Sequence, residues 1–443
     1  MRVTVILFLL VISTLKVFCQ KNYIIPEPHK ITFLDNSKTG FRLSKKTSIQ
    51  FDGINNSQTF IKDFISFINN ETGFELRSKI NKKSNILFIV KENSLSLGDE
   101  GYRISIIPKE NLVVEANTTR GLFYGLESLK QIIYFTKRKR DDESFTFFDS
   151  NTRLDVVAIK KTEQNFNAAN LTTSGYKNIN ETAYLQGLAE VETKTLDVYN
   201  ISPMIIEDFP RFKYRGMMLD VSRHFMPKNF IKKFIDVMAM HKMNRFHWHL
   251  TDDHGWRIEI KKYPKLIEIG SKRDETLIGH ARFAGKNPKF DGIPHEGHYT
   301  QEEIKEIIEY AEERYVEIIP EIDMPGHTAS LIASYPELGT SQEKINVKKI
   351  WGVQDDILIP TENTFNFLEN IISEVVTLFP SKYIHIGGDE ARKKQWIESE
   401  EVQSIMRDLE IHDEDSLQTY FISRVQKIIS KFDRKIIGWD EII

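Results

Sequence analysis

The sequence has a single cysteine, Cys19, among its 443 residues. A framework of intramolecular disulfides is therefore excluded. Neither sign of charge dominates, because 60 lysines and arginines face 63 aspartates and glutamates, and nothing in this balance indicates a nucleic-acid partner. Beyond the first residues, no stretch approaches the ~20 apolar residues that a membrane-spanning helix requires. The composition is that of an ordinary globular protein without a membrane span.

The first residues have the pattern of a secretory signal peptide. Arg2 precedes an apolar run from Val3 to Ile12, and a short polar stretch follows before Cys19. We therefore predict a cleavable signal peptide over residues 1–19 and a secreted or periplasmic protein. Cleavage there removes the one thiol, so the stability of the remaining chain must come from its hydrophobic core.

The rest of the chain divides into three predicted segments. Residues 20–134 alternate strand-like and helical patterns without a cluster of acids or histidines, which favours a small supporting α/β domain. Residues 135–205 are rich in Asn, Thr, Lys and Ser and lack clear periodicity, so we interpret them as a linker or inserted segment. Residues 206–443 are predicted to form the catalytic domain.

In this last segment, short apolar strands alternate with amphipathic helices. The strands are predicted at 214–220, 245–250, 315–322, 383–386 and 435–438. Such a repeat indicates a parallel sheet with right-handed crossovers, either doubly wound or closed into a (β/α)8 barrel. Polar residues follow every strand at its C-terminal end, where a barrel builds its site. A doubly wound sheet normally uses only its switch point, so the barrel is favoured.

The strongest catalytic signal lies at the end of the strand that begins at Tyr383. Gly387 and Gly388 end this strand, and two carboxylates, Asp389 and Glu390, follow at once. Glycines let the backbone turn and let a ligand approach closely. Two carboxylates in one site push their pKa values apart, which suits an acid beside a charged partner. Taken alone, the same residues equally fit the polar start of a helix.

Two chemistries fit the polar strand ends. Tryptophans stack on the apolar face of a pyranose, charged groups bind its hydroxyls, and a carboxylic acid protonates the glycosidic oxygen. The pair His247-x-His249, with Asp252 and Asp253 close by, also resembles the ligands of barrel metallohydrolases. That second interpretation requires further ligands on later strands, for which His327 is a candidate.

Four longer motifs, in chain order, resemble β-N-acetylhexosaminidases of glycoside hydrolase family 20. They are Arg215-Gly-Met-Met-Leu-Asp220, His247-Trp-His-Leu-Thr-Asp-Asp-His-Gly-Trp-Arg257, Pro320-Glu-Ile-Asp-Met-Pro-Gly-His327 and His385-Ile-Gly-Gly-Asp-Glu390. The resemblance implies a (β/α)8 barrel preceded by a small α/β domain. It also implies exo-acting hydrolysis of terminal N-acetyl-β-D-hexosamine from oligosaccharides or glycoconjugates, without a metal or other cofactor.

The resemblance further implies a substrate-assisted mechanism, in which the 2-acetamido group of the substrate attacks the anomeric carbon. Asp389 is expected to orient that group, and Glu390 to act first as general acid and then as base. Arg215 is expected to hold ring hydroxyls, and Trp439 to form a wall of the acetamido pocket. The same resemblance implies site or supporting roles for Asp236, His249, Asp253, Glu321 and His327.

The sequence departs from the family pattern at its end. It stops after Ile443, directly behind the fifth predicted strand, so about five of the eight barrel strands are expected in this chain. We therefore predict an incomplete barrel. Two alternatives to an active hexosaminidase stay open: an inactive sugar-binding fragment and a metal-dependent barrel hydrolase.

Overall fold

A computed structural model describes residues 24–34, 40–54, 57–78, 86–141, 198–283, 285 and 287–442. The predicted signal peptide and residues 142–197 of the predicted linker lie outside these ranges. The described chain packs around two large hydrophobic cores, one formed mainly before residue 207 and the other after residue 220. Within these ranges, no helix is both long enough and apolar enough to cross a membrane.

The N-terminal unit is a seven-stranded sheet with two helices. Its spatial order is β1-β9-β6-β7-β5-β3-β4, and β2 and β8 form a separate antiparallel pair. The alternating burial of β6 and β7 shows that one face of the sheet is covered. The elements are β1 (Lys30–Phe33), β2 (Phe41–Ser44), β3 (Ser48–Asp52), α1 (Thr59–Thr72), β4 (Arg77–Ser78), β5 (Ile86–Val90), β6 (Tyr102–Ile106), β7 (Leu112–Ala116), α2 (Thr119–Asp141), β8 (Val198–Ile201) and β9 (Met204–Asp208).

The last two of these strands correct the predicted segment boundaries. β8 pairs with β2, and β9 inserts between β1 and β6 in the first sheet. The linker prediction up to residue 205, and the start of the catalytic domain at 206, were therefore wrong for residues 198–208. These short strands are held by partners far earlier in the chain, and such non-local pairing leaves no mark in the local periodicity.

The C-terminal unit contains the five predicted parallel strands, each within two residues of its predicted bounds. Their spatial order follows the chain order without reversal, as in a barrel and unlike a doubly wound sheet. The strands are β10 (Gly216–Asp220), β11 (Arg245–His249), β16 (Glu317–Glu321), β17 (Tyr383–His385) and β18 (Lys435–Ile437), with short pairs β12 (Thr251–Asp252), β13 (Gly255–Trp256), β14 (Lys272–Arg273) and β15 (His295–Glu296) in the loops.

Helices alternate with these strands. The predicted capping box at the start of α5 is present, because Thr300 accepts from the Glu303 N–H and Glu303 accepts from the Thr300 N–H. The helices are α3 (Lys228–Met240), α4 (Lys265–Glu268), α5 (Gln301–Glu312), α6 (Ala329–Ser334), α7 (Glu362–Leu378), α8 (Lys394–Glu398), α9 (Glu400–Asp408) and α10 (Glu414–Ser430).

The two units meet at the N-terminal ends of β10 and β11. Lys242 donates to Asp208 and to Tyr102, each over 2.9 Å. Arg215 donates to Glu100 over 2.6 Å. The buried Lys242–Asp208 pair and the partly buried Arg215–Glu100 pair join the first unit to the end of the barrel opposite the polar strand tips.

Candidate active site

Polar side chains at the C-terminal ends of four neighbouring strands lie in one row. Asp220, His249 and Glu321 are in register across β10, β11 and β16, and His385 on β17 is in register with Glu321. Since successive residues of a strand point to opposite faces, residues in register share a face. The register of the strands therefore brings these four side chains together at the C-terminal end of the barrel, where the site was predicted.

Glu321 is the central carboxylate of this row. It accepts hydrogen bonds from His247 Nε2 over 2.7 Å and from His249 Nδ1, and its Oε1 lies 2.9 Å from His385 Nδ1. Although burial raises its pKa, the positive charge of His249 and these hydrogen bonds hold the pKa well below its usual value. Glu321 is thus a buried carboxylate that orients His247 and His249 and lies against His385, a position that fits its predicted supporting role.

His249 carries the same charge network toward the rim. Burial lowers its pKa, but the facing Glu321 carboxylate and the hydrogen bond to Asp252 raise it well above its usual value. Its Nε2 lies 3.0 Å from Asp252 Oδ2. Asp252 in turn pairs with Arg223, whose Nη2 lies 2.5 Å from Asp252 Oδ2 and whose Nη1 lies 3.1 Å from Asp220 Oδ2.

Arg223, which was not among the predicted site residues, lies at this face. It follows the C-terminal end of β10, and its side chain remains 27% exposed. Arg215, predicted to hold ring hydroxyls, precedes β10 and lies at the opposite end of the barrel, bound to Glu100 and Tyr124 of the first unit. The strand between them separates the two guanidinium groups, so the prediction for Arg215 was wrong.

Asp236 also lies away from this face. It is on α3, half exposed, and it accepts from the Tyr310 hydroxyl and from Arg314 Nε. Its partners belong to the helical outer layer, so its predicted place in the substrate site was wrong. Asp253, by contrast, does reach the site, where its Oδ2 lies 3.1 Å from His327 Nδ1.

His327 connects that acid to the catalytic pair. Its Nε2 lies 3.4 Å from Glu390 Oε2 and 3.7 Å from Asp389 Oδ2. Burial lowers the pKa of His327, but hydrogen bonds to Asp252 and Asp253 raise it to about 12. The imidazole is therefore positively charged at neutral pH, and it stands between two buried aspartates, Asp252 and Asp253, and the two predicted catalytic acids.

The turn that carries the acids has an unusual backbone. Gly387 (φ 65°), Gly388 (φ 91°) and Glu390 (φ 48°) all have positive φ. A Cβ on Gly387 would lie 1.7 Å from Asp323 Oδ1, so the backbone passes directly against that carboxyl group. The Gly388 N–H points to Asp323 Oδ1 over 3.3 Å, and the Glu390 N–H donates to Glu441 over 2.7 Å. Close packing thus holds the turn from both sides.

The two acids have different surroundings. The Asp389 side chain is 24% exposed, whereas that of Glu390 is 50% exposed. Burial raises the pKa of Asp389, opposed by the positive charge of His327. Asp389 Oδ1 is buried and has no hydrogen-bond partner among the described residues. Such a poorly solvated oxygen gains free energy when a donor or a positive charge is placed beside it.

Trp439 lies next to this turn. Its backbone N–H donates to Gly387 O over 2.9 Å, and its ring centroid is 5.0 Å from that of His385 and 5.7 Å from that of His247. The indole therefore covers the imidazole pair beside the acids. Its role as a pocket wall stays a prediction that this position fits.

The same cluster contains groups with the donor atoms of a metal site. Asp323, His327 and Asp389 form one such group, and His247, Glu321 and His385 another. A metal ligand must be a neutral imidazole or a free carboxylate oxygen. His327 is protonated, and the Glu321 oxygens already pair with three imidazoles. The donor set thus fits a network of charged hydrogen bonds better than a metal centre.

Comparisons with known proteins agree with this geometry. The family "Glycosyl hydrolase family 20, catalytic domain" matches residues 212–443, and "Glycosyl hydrolase family 20, domain 2" matches residues 21–147. A β-hexosaminidase of Porphyromonas gingivalis is 34% identical over 425 residues, which cover 95% of this chain and 45% of that protein. A β-hexosaminidase of Vibrio furnissii is 41% identical over 240 residues, covering 54% of this chain and 38% of that protein.

Solved structures give the same result. The chitobiase of Flavobacterium johnsoniae is similar with a TM-score of 0.68 and 28% identity, covering 95% of this chain and 53% of that one. A mutant β-hexosaminidase of Streptomyces plicatus in complex with product (GlcNAc) has a TM-score of 0.66 and 26% identity, with 94% and 65% covered. The chain spans less than half the length of the two curated relatives named above. The barrel preceded by a small domain is confirmed, and this chain belongs to glycosyl hydrolase family 20.

Proposed function

We propose that this chain carries the catalytic acids of an exo-acting β-N-acetylhexosaminidase, which removes terminal N-acetyl-β-D-hexosamine from oligosaccharides or glycoconjugates. The observation that carries the proposal is the turn at Asp389 and Glu390. It places a buried carboxylate oxygen of Asp389, which has no hydrogen-bond partner among the described residues, beside the exposed carboxyl group of Glu390, with the His327 cation between them. The family relatives are β-hexosaminidases, which supports the same reaction.

The two acids then have distinct tasks. The carbonyl oxygen of the substrate's acetamido group forms a bond to the anomeric carbon, the glycosidic bond breaks, and the leaving oxygen takes a proton from Glu390. Asp389 accepts the acetamido N–H and stabilises the positive charge that develops on that nitrogen. Glu390 then takes a proton from water, whose oxygen attacks the anomeric carbon. The bond from that carbon to the acetamido oxygen breaks, which restores the acetamido group and releases the sugar with retained configuration.

The surrounding charges support these tasks. His327 stays protonated, held by Asp253, and keeps a positive charge 3.4 Å from Glu390. Arg223 is a basic group at the strand tips that remains partly exposed, and we assign to it the binding of ring hydroxyls that was first expected of Arg215. Trp439 supplies an apolar surface beside Asp389.

Hydrolysis of aryl N-acetyl-β-glucosaminides by the 443-residue chain tests the proposal. Glu390→Gln is expected to retain turnover of a dinitrophenyl glycoside, whose leaving group needs no proton, and to lose turnover of an N-acetylglucosamine disaccharide. Asp389→Asn should lose both activities, whereas Asp236→Asn, an aspartate outside the site, should keep both. Equal turnover of the disaccharide by Glu390→Gln would refute the acid role.

Two further measurements separate the alternatives. A thiazoline fused to the sugar ring mimics the cyclic intermediate and should bind the wild-type chain but not Asp389→Asn. Binding of this compound without any turnover would indicate an inactive sugar-binding chain. Loss of turnover in a chelator, restored by added zinc, would indicate the metal-dependent hydrolase.

Export of the protein is a separate proposal that rests on the pattern of residues 1–19. Expression in a bacterial host should give a chain whose N-terminal residue, determined by mass spectrometry of the purified protein, follows residue 19. An intact N-terminus in protein recovered only from the cytoplasm would contradict it.

A further inference from the structure

Gln418 is a buried polar residue on α10 that has no task in the reaction described above. It is 5% exposed, and its Nε2 donates over 2.8 Å to the backbone oxygen of Gly388, 30 residues earlier in the chain. Gly388 directly precedes Asp389. An amide buried without a partner is unfavourable, so this hydrogen bond fixes where the Gln418 side chain lies. The helix α10 is thereby connected to the turn that carries the two acids.

The helix that carries Gln418 is fixed at its start and packs against the same turn. Asp413 precedes α10 and accepts from the Ser416 N–H over 2.7 Å, which satisfies a free backbone donor of the first helical turn. Ile422 lies four residues after Gln418 and therefore on the same face of the helix. A Cβ on Gly388 would lie 3.7 Å from Ile422 Cδ1. One face of α10 thus contacts Gly388 by a hydrogen bond and by apolar packing.

Gly388 is held at both of its backbone hydrogen-bonding groups. Its N–H points to Asp323 Oδ1 over 3.3 Å, and its carbonyl oxygen accepts from Gln418. Asp323 follows β16 and Gln418 lies on α10, so two separate elements restrain this residue. Restraint matters here because Gly387 and Gly388 both have positive φ, and glycine loses more backbone freedom on folding than any other residue. The turn keeps one conformation only while these contacts hold it.

The direction of the Asp389 carboxyl group depends on that restraint. Asp389 Oδ1 has no hydrogen-bond partner among the described residues. Asp389 Oδ2 lies 3.7 Å from His327 Nε2, which exceeds the length of a hydrogen bond. The oxygen that Gln418 binds belongs to the peptide group between Gly388 and Asp389. Rotation of this peptide group would therefore turn the Asp389 side chain.

We propose that Gln418 is a positioning residue that sets the orientation of Asp389 toward the acetamido group of the substrate, an inference that rests on the function proposed above. Glu390 is held separately, because its N–H donates to Glu441 over 2.7 Å. Loss of the Gln418 hydrogen bond should therefore displace Asp389 more than Glu390. Such displacements are costly, since a misplacement of about 1 Å lowers a rate by up to about 100-fold.

Hydrolysis of a dinitrophenyl N-acetyl-β-glucosaminide by Gln418→Met tests this role, because methionine keeps the length of the side chain and removes the donor. We expect kcat/KM to fall about ten- to 100-fold. Most of the loss should be in kcat, because Asp389 stabilises a charge that develops only in the transition state. Gln418→Met should lower kcat/KM by the same factor in Glu390→Gln, since that variant retains Asp389 and this substrate needs no acid.

Gln131→Met is the matched control. Gln131 is also buried, at 7% exposed, and its Nε2 donates to the backbone oxygens of Ile25 and Met240. These residues lie where the two units meet, at the end of the barrel opposite the acids. Gln131→Met should lose stability in urea unfolding and keep the wild-type kcat/KM. An equal loss of kcat/KM in Gln418→Met and Gln131→Met would leave Gln418 only a structural role and overturn the proposal.

Hydrogen exchange measured by mass spectrometry on peptides covering residues 385–392 follows the turn without a substrate. Gln418→Met should speed exchange in these peptides, and Gln131→Met should not. Gln418→Asn, whose side chain is one CH2 group too short for the bond, is a second variant with the same expected results and keeps the test available if Gln418→Met does not fold.

Three outcomes would overturn the positioning role. Wild-type kcat/KM and wild-type exchange in the Gln418 variants would overturn it and leave the proposed function intact. A loss of kcat/KM that disappears in the Glu390→Gln background would show that Gln418 acts through Glu390, and would also leave the function intact. Failure of the wild-type chain to hydrolyse the glycoside would instead overturn the proposed function and the positioning role with it.

Discussion

Replacing Glu321 by glutamine is expected to destabilise the protein strongly. Glu321 is fully buried and pairs with His247, His249 and His385. Glutamine keeps the volume and one acceptor oxygen but removes the charge that faces the His249 cation. Breaking one side of a buried ion pair leaves an uncompensated charge and typically costs about 3–5 kcal/mol. We expect a loss of this size in the free energy of unfolding.

The pH dependence of this loss follows from the pKa shifts. The pKa of His249 is raised in the folded state, so its stabilisation is complete below its ordinary pKa of 6.5 and is lost as the pH rises toward the folded value. The pKa of Glu321 is lowered, so its stabilisation is complete above its ordinary pKa of 4.5 and is lost as the pH falls. The difference between wild type and Glu321→Gln should therefore be largest between about pH 4.5 and 6.5.

Urea unfolding followed by tryptophan fluorescence across this pH range measures the effect, since Trp439 lies against His247 and His385. Glu306→Gln is the control, because Glu306 also pairs with two cations, Lys228 and Lys232, but on the surface. Solvent screens that pair, so the control should lose far less stability. A Glu321→Gln variant as stable as Glu306→Gln, or a loss that does not vary with pH, would refute the reasoning.

Substitutions at three further positions have definite expected outcomes. Gly387→Ala should lower the free energy of unfolding by at least about 1–2 kcal/mol, which is the cost of positive φ for a residue with a Cβ. Denaturant titration measures this loss, and an unchanged unfolding midpoint would contradict the contact with Asp323. Asp323→Asn should reduce the free energy of unfolding less than Asp323→Ala does. Burial and then the Glu321 charge raise the pKa of Asp323 well above its usual value, and an asparagine oxygen still accepts from the Gly388 N–H. Equal losses of unfolding free energy in the two variants at pH 7 would count against a neutral Asp323. Arg215→Met should lower the melting temperature by breaking the pair with Glu100, yet leave thiazoline binding unchanged; weakened binding in a chain of wild-type stability would restore Arg215 to the site.

Local patterns in the sequence were enough to predict much of the fold. Each barrel strand is a short apolar run followed by polar residues, and the capping box at Thr300 and Glu303 marks the start of α5. The same rule indicated Asp389 and Glu390, which taken alone equally fit the polar start of a helix, because polar residues also follow the other predicted strands at their C-terminal ends. The strands, the capping box and the acidic turn could be predicted because each is encoded by a few neighbouring residues.

The wrong predictions concern residues whose position depends on the direction of a strand or on contacts between distant parts of the chain. Arg215 and Arg223 flank the same strand, and only the rule that barrel sites form at C-terminal strand ends distinguishes them. Applied to β10, this rule selects Arg223. For Asp236 the pattern of apolar neighbours on α3 already indicated a helix on the outside of the barrel. The pairing of β9 with β1 depends on contacts across most of the N-terminal unit, which no local pattern contains.

The ion pairs between the units have a consequence for how such proteins are cut and recombined. A barrel separated from its N-terminal sheet keeps the Lys242 ammonium and the Arg215 guanidinium but loses Asp208 and Glu100, their counter-charges. An N-terminal unit exchanged from a relative must therefore supply acidic residues at the positions of Asp208 and Glu100. The boundary behind β9 is a poor site for excision, although the chain passes there from one core to the next.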